Sequence, residues 1–565
     1  MGLIRAVTGV QKAIVECVPN FSEGVDRAKI DRIVASMAEV QGVTVLDVDP
    51  GADTNRTVVT AVGSPDAIVE GAFRAIQKAS ELIDMRRHHG AHPRMGATDV
   101  CPFVPISGIT EQECVELARR LGKRVGEKLS IPVYLYEAAA SAPYRRNLSD
   151  IRAGEYEGLA AKMKDPKWKP DFGPKEFQAK SGATVIGVRP FLIAYNVNLN
   201  TRDTKIANEI SGNIRESGRP VKDVNGQPVN GPDGKPLRTV GRLKACKATG
   251  WYIDAYNRAQ ISINLTDFRA TPPHVAFETC CEEAEKLGVR VTGSELVGLI
   301  PLDALLDAGK FYLKKQRRSW GVPESYLVET AVQSLGLREL SPFVPKEKVI
   351  EYRLEGRMGR LVSMPVSQFV DECSTETPTP GGGSVAALAG SLAAGLSAMV
   401  ANLTQGKKKF AAVHEEMVQV AVRGQELKNE LVAAVDRDTE AFDKVMEAFR
   451  LPKGTSEQES VRLAAIEEAT RGAAEVPLSV LEKMPAILDL AKVVAEKGNP
   501  SSRSDAGVAA SMARAGAEGA YLNVKINIAT LKDRAVANRL GKRAEELLAR
   551  ARSAADAVWK ICVTS

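Results

Sequence analysis

The stretch PGGGSVAALAGSLAAGLSAMVANLTQG, residues 380–406, divides the chain. No charged residue occurs from Thr377 to Gly406, and Ser384–Thr404 is long enough to cross a bilayer. It is mostly Ala, Gly and Ser, with few large apolar side chains to favour lipid. Gly390, Ala394 and Ala398 recur at helical spacing, which lets a second helix approach closely. The stretch therefore predicts a buried helix in a tight bundle and no membrane span. Beyond it, only four of 29 Pro occur, at 452, 477, 485 and 500. Apolar residues recur every three or four positions in Met417–Val435, Ala441–Phe449 and Ala535–Trp559. The last third is an all-α helix bundle by this pattern.

Upstream, short β-prone runs alternate with amphipathic ones. Ile14–Val18, Val43–Val48, Val58–Val62, Val100–Val104, Val133–Tyr136 and Ala183–Gly187 read as strands, with Arg27–Glu39, Pro65–Ile83 and Glu111–Lys128 as helices. A second set follows: strands Phe191–Val197, Ala259–Asn264 and Val289–Thr292, and helices Thr204–Ser217 and Pro273–Lys286. Two tandem α+β subdomains are the simplest account. The expected divisions are 1–191, 192–354, a linker at 355–363 and the helical domain at 364–565. Val221–Thr239 holds the turn dipeptides Asn225-Gly226 and Asp233-Gly234 and reads as a surface hairpin insertion.

A chain of 565 residues is too long for one core and suits about three domains. The net charge of +6 is too small to argue for nucleic acid but suits anionic small molecules. Eight Cys in this length exclude a disulfide scaffold, their lack of a CxxC pair argues against a structural zinc site, and reduced thiols predict the cytoplasm. No signal peptide is read at the N-terminus.

Three of only five His fall at 88, 89 and 92, in DMRRHHGAHPRMGATD (84–99). Gly90, Pro93 and Gly96 make this a loop, and imidazoles on a loop before a strand suit general-base chemistry near neutral pH. The same residues would serve a solvated basic loop. His92, between Gly90 and Pro93, is the most constrained of the three. In LDVDPGADTNRT (46–57), Asp47 and Asp49 end a strand before a turn carrying Asp53, Asn55 and Arg56. These could orient a base and clamp an anion, or simply cap a turn. Gly381, Gly382, Gly383 and Ser384 open the Ala-rich helix, as an anion-facing helix start or as a linker with a Ser cap. In VDRDTEAF (435–442), Asp436 and Glu440 share a helix face while Asp438 points elsewhere, which alone fits a solvated acidic face.

Together these segments carry a resemblance. IVECVPNFSEG (14–24), DVDPGADTNRTV (47–58), HHGAHPRMGATDVCPFVP (88–105), IRAGEYEGL (151–159), WKPDFGP (168–174), GWYID (250–254) and SELVGLIPLDALLDA (294–308) resemble the formiminotransferase part of the formimidoyltransferase-cyclodeaminase family. PGGGSVAALAGSLAAGLSAMV (380–400), DRDTEAF (436–442) and RSDAGVAA (503–510) resemble its cyclodeaminase part. The resemblance implies two folate reactions of histidine breakdown. The formimino group of N-formimino-L-glutamate passes to tetrahydrofolate, releasing L-glutamate. The 5-formiminotetrahydrofolate then cyclises to 5,10-methenyltetrahydrofolate with loss of ammonia.

The resemblance also implies roles. His92 is the transferase acid/base, with Asp49 in support and Asn55, Arg56 and Arg94 near the substrate. The folate segment maps to Gly173, Pro174, Lys175, Glu176, Phe177, Gln178, Ala179, Lys180, Ser181 and Gly182, with a second contact at Gly241, Arg242 and Leu243. Lys175, Lys180 and Arg242 suit the carboxylates of a polyglutamylated folate. Asp438 is the cyclodeaminase acid/base, which overturns the solvated-face reading. The turn Gly381–Ser384 lies against the folate, and Arg503 and Asp505 join its pocket. Tetrahydrofolate is a co-substrate, with no metal or nucleotide expected, and the helical domain pairs with a second copy in a homo-oligomer. Two other readings stand beside this: a helical domain acting mainly as a methenyltetrahydrofolate cyclohydrolase, and a non-catalytic folate-binding scaffold.

Overall fold

The structure is a computed structural model that describes residues 13–51, 55–90, 93–223, 227–231, 236–353 and 359–564. Contacts divide the chain into two compact units, 1–304 with 336–354, and 305–335 with 355–565.

The first unit opens with a seven-stranded sheet of β1 (Ile14–Cys17), β2 (Asn20–Phe21), β3 (Val43–Gly51), β4 (Arg56–Gly63), β5 (Thr98–Ser107), β6 (Val133–Glu137) and β7 (Thr184–Val188). β1 and β2 follow one another in the slot between β4 and β5, with β3 outside β4. β5, β7 and β6 run parallel. Side chains alternate across these strands. Val59, Ala61, Cys101, Phe103, Leu135 and Ile186 share one core with α1 (Arg27–Ala38), α2 (Pro65–Leu82) and α3 (Glu111–Leu129). On the opposite face Val100, Tyr134, Tyr136 and Val185 pack with Ile151 of α4 (Leu148–Arg152) and Leu159 of α5 (Glu155–Lys162). Each expected helix in this part is present, and α3 starts at a reciprocal capping box between Thr110 and Glu113.

An antiparallel second sheet has the order β11-β8-β10-β9, from β8 (Ile193–Leu199), β9 (Cys246–Ile253), β10 (Arg258–Leu265) and β11 (Val291–Val297). β9 adds to the expected strands; Lys247, Thr249 and Gly250 break up its apolar signature. α6 (Thr204–Ile214) packs on β9 and β10, and α7 (Pro273–Lys286) on β8 and β11. In the expected insertion, Val221 N–H donates to the Leu237 carbonyl, and isolated bridges join Pro220 to Arg238, Lys222 to Pro228 and Asn230 to Pro236. Both of its turn dipeptides lie outside the described residues.

Next come α8 (Leu302–Lys315) and α9 (Glu324–Ser334), then the short α10 (Pro345–Lys348) and α11 (Ile350–Arg353). Residues 305–335 belong by contacts to the helical unit. There the Gly321 carbonyl accepts from Asn402 Nδ2 at 2.8 Å, and Ser319 N–H donates to Gln405 Oε1 at 2.6 Å. The other helices are α12 (Val366–Cys373), α13 (Gly382–Thr404), α14 (His414–Arg450), α15 (Ser456–Lys497), α16 (Arg503–Thr530) and α17 (Arg534–Val563). α13 is the expected buried helix, with 67% of its most apolar window inside the bundle. Its small residues act as predicted: a Cβ on Gly390 would lie 2.4 Å from Met484, and one on Gly424 of α14 would lie 2.9 Å from Ala398. Of the expected linker, 355–358 lies outside the described residues; Leu361 is fully packed into the helical core.

Candidate active sites

Loop 84–97 is held from two sides. Met85 N–H donates to the Lys180 carbonyl at 2.9 Å, Ala97 N–H to the Ser181 carbonyl at 2.8 Å, and Ala183 N–H to the Met95 carbonyl at 3.1 Å. The folate segment implied by the resemblance therefore lies directly along the histidine loop. Gly182, with φ of +65°, has no room for a side chain, because a Cβ would lie 2.1 Å from the Met95 carbonyl oxygen. Tyr156 of α5 completes the join: its hydroxyl donates to the Ala179 carbonyl at 2.6 Å, and its ring stands 5.5 Å from that of Phe177. Gly173, Lys175, Glu176, Ala179 and Lys180 are exposed, Pro174, Phe177, Gln178 and Ser181 partly so.

Arg94 organises the loop. The buried guanidinium donates to Glu157 from both terminal nitrogens, at 2.8 and 2.6 Å, and to Glu155 at 3.2 Å. Its Nε–H donates to His88 Nδ1, and Nη2 to the His88 carbonyl, both at 3.2 Å. With Nδ1 an acceptor, His88 is neutral and carries its proton on Nε2, which stands 2.8 Å from the Asn55 carbonyl. Burial, the largest influence, holds the His88 pKa below its usual value. His88 is thus a structural imidazole, both nitrogens already committed. Asn55 ties in the β3–β4 turn: its amide accepts from Gly24 N–H at 2.9 Å and donates to the His89 carbonyl at 2.8 Å. Arg56 is partly buried beside Asp99, a buried carboxylate paired with Arg152. A cleft of about 480 Å³ opens here, lined by His89, Gly90, Arg94, Gly154, Glu155 and Glu157. His92 and Asp53 lie outside the described residues.

Other expected residues stand apart. Asp49 is exposed on β3, opposite Val58 of β4. Arg242 does not present a free cation: it pairs with Glu282 and, at 2.7 Å, with Glu283 of α7. Gly241 and Leu243 lie beside the end of α6, where Arg242 and Leu243 N–H donate to the Asn213 and Ile214 carbonyls.

The second site is built on helices. Asp438 of α14 lies against the start of α13. Ser384 Oγ donates to Asp438 Oδ2 at 3.2 Å and to the Val435 carbonyl at 2.8 Å. Gly383 makes this possible, since a Cβ there would sit 2.1 Å from Asp438 Oδ1. Burial, the largest influence, raises the Asp438 pKa against the lowering effect of hydrogen bonds from Ser384. A carboxyl that holds its proton more readily and faces a helix start can both give and take one. Asp436 is committed elsewhere, accepting from Leu361 N–H at 2.9 Å and Val362 N–H at 3.2 Å. Arg503 and Asp505 do not join Asp438 within one chain. They open α16, next to Asn499, whose N–H donates to Thr404 at the far end of α13. Asn523 of the same helix is the residue beside Gly382, about 30 Å further along at 1.5 Å per residue.

Three residues of these sites escaped the sequence reading. Glu155 and Glu157 form an alternating acidic pair at a helix start, inside a block already quoted for its resemblance. Asn523 belongs to GAYLNVKIN (519–527), where two Asn one turn apart interrupt a helix rich in small and apolar residues.

Comparison with known proteins agrees with this layout. Residues 14–189 match the formiminotransferase domain, N-terminal subdomain; 194–355 the formiminotransferase domain; and 365–546 the formiminotransferase-cyclodeaminase model. The chain is 45% identical to formimidoyltransferase-cyclodeaminase of Gallus gallus, over 92% of this chain and 93% of the relative. It is 44% identical to glutamate formimidoyltransferase of Streptococcus pyogenes, over 53% of this chain and 93% of that one. It is 43% identical to methenyltetrahydrofolate cyclohydrolase of Methylorubrum extorquens, over 34% of this chain and 94% of that one. Matched along nearly its whole length, with the transferase and cyclodeaminase models in that order, the chain belongs to the formimidoyltransferase-cyclodeaminase family.

Proposed function

We propose that this chain carries out two consecutive folate reactions, with His92 serving the first and Asp438 the second. The enzyme moves the formimino group of N-formimino-L-glutamate to N5 of tetrahydrofolate, releasing L-glutamate, and then closes the ring to 5,10-methenyltetrahydrofolate with release of ammonia. The observation that carries the second assignment is the Asp438 carboxyl seated in the gap left by Gly383 and bonded to Ser384.

In the first step N5 forms a bond to the formimino carbon while the bond to the glutamate nitrogen breaks. His92 takes the N5 proton and returns it to the departing amine. Support comes from its neighbours: the Arg94 clamp fixes the flanking loop and leaves His88 without a free nitrogen, so the remaining imidazoles carry any proton transfer. Asp49 assists from β3. Lys175 and Lys180, both exposed, are the cations left for the carboxylates of a polyglutamylated folate once Arg242 is paired.

In the second step N10 adds to the carbon of the formimino group, protonated on its imino nitrogen, and Asp438 takes the N10 proton. Asp438 then returns it to the former imino nitrogen, and the C–N bond breaks with its electrons leaving on ammonia. The positive charge passes from the amidinium to the methenyl bridge, and the carboxylate is restored.

Residues 1–191 and 192–354 serve the transferase, 355–363 connects, and 364–565 serve the cyclodeaminase. We place the protein in the cytoplasm, in keeping with eight free cysteines, including Cys17 and Cys101 with sulfurs 3.4 Å apart. The helical unit forms a homo-oligomer; exposed Val385, Leu392, Met399 and Leu403 line α13 at helical spacing and offer an apolar seam. Arg503 and Asp505 would then complete a pocket only across such a contact.

The likeness to the cyclohydrolase favours one second reading, in which water rather than ammonia is the main partner of the helical unit. A two-stage assay on the full chain decides, following formimino transfer and ammonia release separately. His92→Ala is expected to abolish transfer and keep cyclodeamination, and Asp438→Asn to do the reverse. Ammonia-free turnover of methenyltetrahydrofolate alone would establish the cyclohydrolase, and binding without turnover the scaffold.

A further inference from the structure

We infer that Asn523 is a substrate-contacting residue of the cyclodeaminase site, accepting a hydrogen bond from an N–H of the formimino nitrogen that Asp438 protonates. The inference rests on reading the Asp438 site as the place of ring closure. Consecutive glycines face the two groups. The Asp438 carboxyl fills the space a Gly383 side chain would take, and the Asn523 carboxamide borders the place a Gly382 Cβ would take, with Nδ2 at 3.2 Å and Oδ1 at 3.9 Å. Adjacent Cα atoms are 3.8 Å apart, so carboxyl and carboxamide face the turn within about 12 Å of one another. That span suits a single bicyclic head group with its one-carbon substituent.

Packing puts Asn523 there. α16 meets α13 through glycine: a Cβ on Gly519 would lie 3.1 Å from that of Ala386, and one on Gly516 would lie 3.0 Å from the Ala386 carbonyl. One turn beyond Gly519, Asn523 reaches the exposed Gly382. Asn527 pins the next turn, its amide donating to the Ala473 carbonyl of α15 and the Asn523 carbonyl, both at 2.9 Å. Asn523 itself is partly exposed, and one N–H returns to the Gly519 carbonyl at 2.8 Å. Its Oδ1 has no hydrogen-bond partner among the described residues. An amide oxygen held on rigid helices is a suitable acceptor for the N–H groups of an amidinium. Accepting there orients the formimino carbon toward N10 and leaves proton transfer to Asp438.

The test uses the full chain and 5-formiminotetrahydrofolate, reading ammonia release and methenyl formation. Asn523→Ala is expected to lower cyclodeaminase kcat/KM roughly 10- to 100-fold, the equivalent of one charge-assisted hydrogen bond, with transferase kinetics unchanged. Asn523→Asp keeps the acceptor and is expected to retain more activity than Asn523→Ala, with a new ionisation in its pH–rate profile. Asn527→Ala removes a helix-to-helix bond and is expected to lower the melting temperature but not kcat/KM. Wild-type-like cyclodeamination in Asn523→Ala would overturn the inference while leaving the ring-closure reading intact. So would Asn523→Asp losing melting temperature with an unaltered pH profile, which also covers an Asn523→Ala chain that does not fold. A wild-type chain that releases no ammonia would fell the reading and the inference together.

Discussion

The two candidate sites hold their side chains by different means. The transferase site hangs a loop on one guanidinium, Arg94, whose donors reach Glu155, Glu157, the His88 ring and the His88 carbonyl. Among the described residues, no such clamp surrounds Asp438. Asp438 stands on a 37-residue helix and is aimed by the absence of a side chain at Gly383. Charge and hydrogen bonds position the first; shape, with one hydrogen bond from Ser384, positions the second. The first should therefore respond to charge removal and pH, the second to added volume.

Among changes that retain the reacting side chains, the largest expected effect is from Gly383→Ala. The new methyl would meet the Asp438 carboxyl at 2.1 Å, and carboxyl and helix start cannot both keep their places. Displacement of a reacting group by about 1 Å costs on the order of 100-fold in rate. Ala also favours a helix over Gly by about 1 kcal/mol, so helical content should survive. The prediction is a fall of about 100-fold in cyclodeamination at unchanged transfer and unchanged helical circular dichroism. A variant with full ammonia release would show that the carboxyl need not lie in this gap.

Arg94→Leu should act on the other half. It leaves His88 Nδ1 without a donor and two carboxylates without their cation. Glu155 is partly and Glu157 mostly in water, so the loss is below that of a fully buried pair, about 2 kcal/mol. Transferase activity should drop at least tenfold with cyclodeamination retained. Equal loss of both activities would mean that Arg94 supports the whole chain and not the loop.

The same difference explains what the sequence disclosed. Periodicity and turn residues place most strands and helices, because short alternating runs and good helix formers act locally. The 42-residue α15 is hidden, since Pro477 and Pro485 each remove an internal hydrogen bond and read as stops. Tertiary packing overrides them: both are buried in the bundle. The small-residue stripe of α13 discloses its close neighbours, because shape is written in residue size. The Arg94 clamp is not legible in that way. Its partners come from positions 88, 155 and 157, and nothing local to any of them announces the others. For the same reason Arg242 reads as a free cation until Glu282 and Glu283 are seen beside it. Asp438 needed the family resemblance, because VDRDTEAF by itself describes any charged helix face.

The smallest expected effect concerns protons. His88 accepts from Arg94 on Nδ1, so protonation would set an N–H against an N–H and break the clamp. Burial lowers its folded pKa, whereas the unfolded chain has the ordinary value of about 6.5. A group with a depressed folded pKa binds protons preferentially in the unfolded state. The stability it contributes is complete above about pH 6.5 and is lost as pH falls toward the folded value, by about 1.4 kcal/mol for each unit between the two. His88→Gln keeps one donor and one acceptor but does not titrate. Urea unfolding of the transferase half at pH 7.5 and pH 5.5 should show a larger decline for the wild type than for His88→Gln. Parallel declines would mean that His88 is protonated in the folded loop, and the clamp would then need a different arrangement from the one in which Arg94 donates to it.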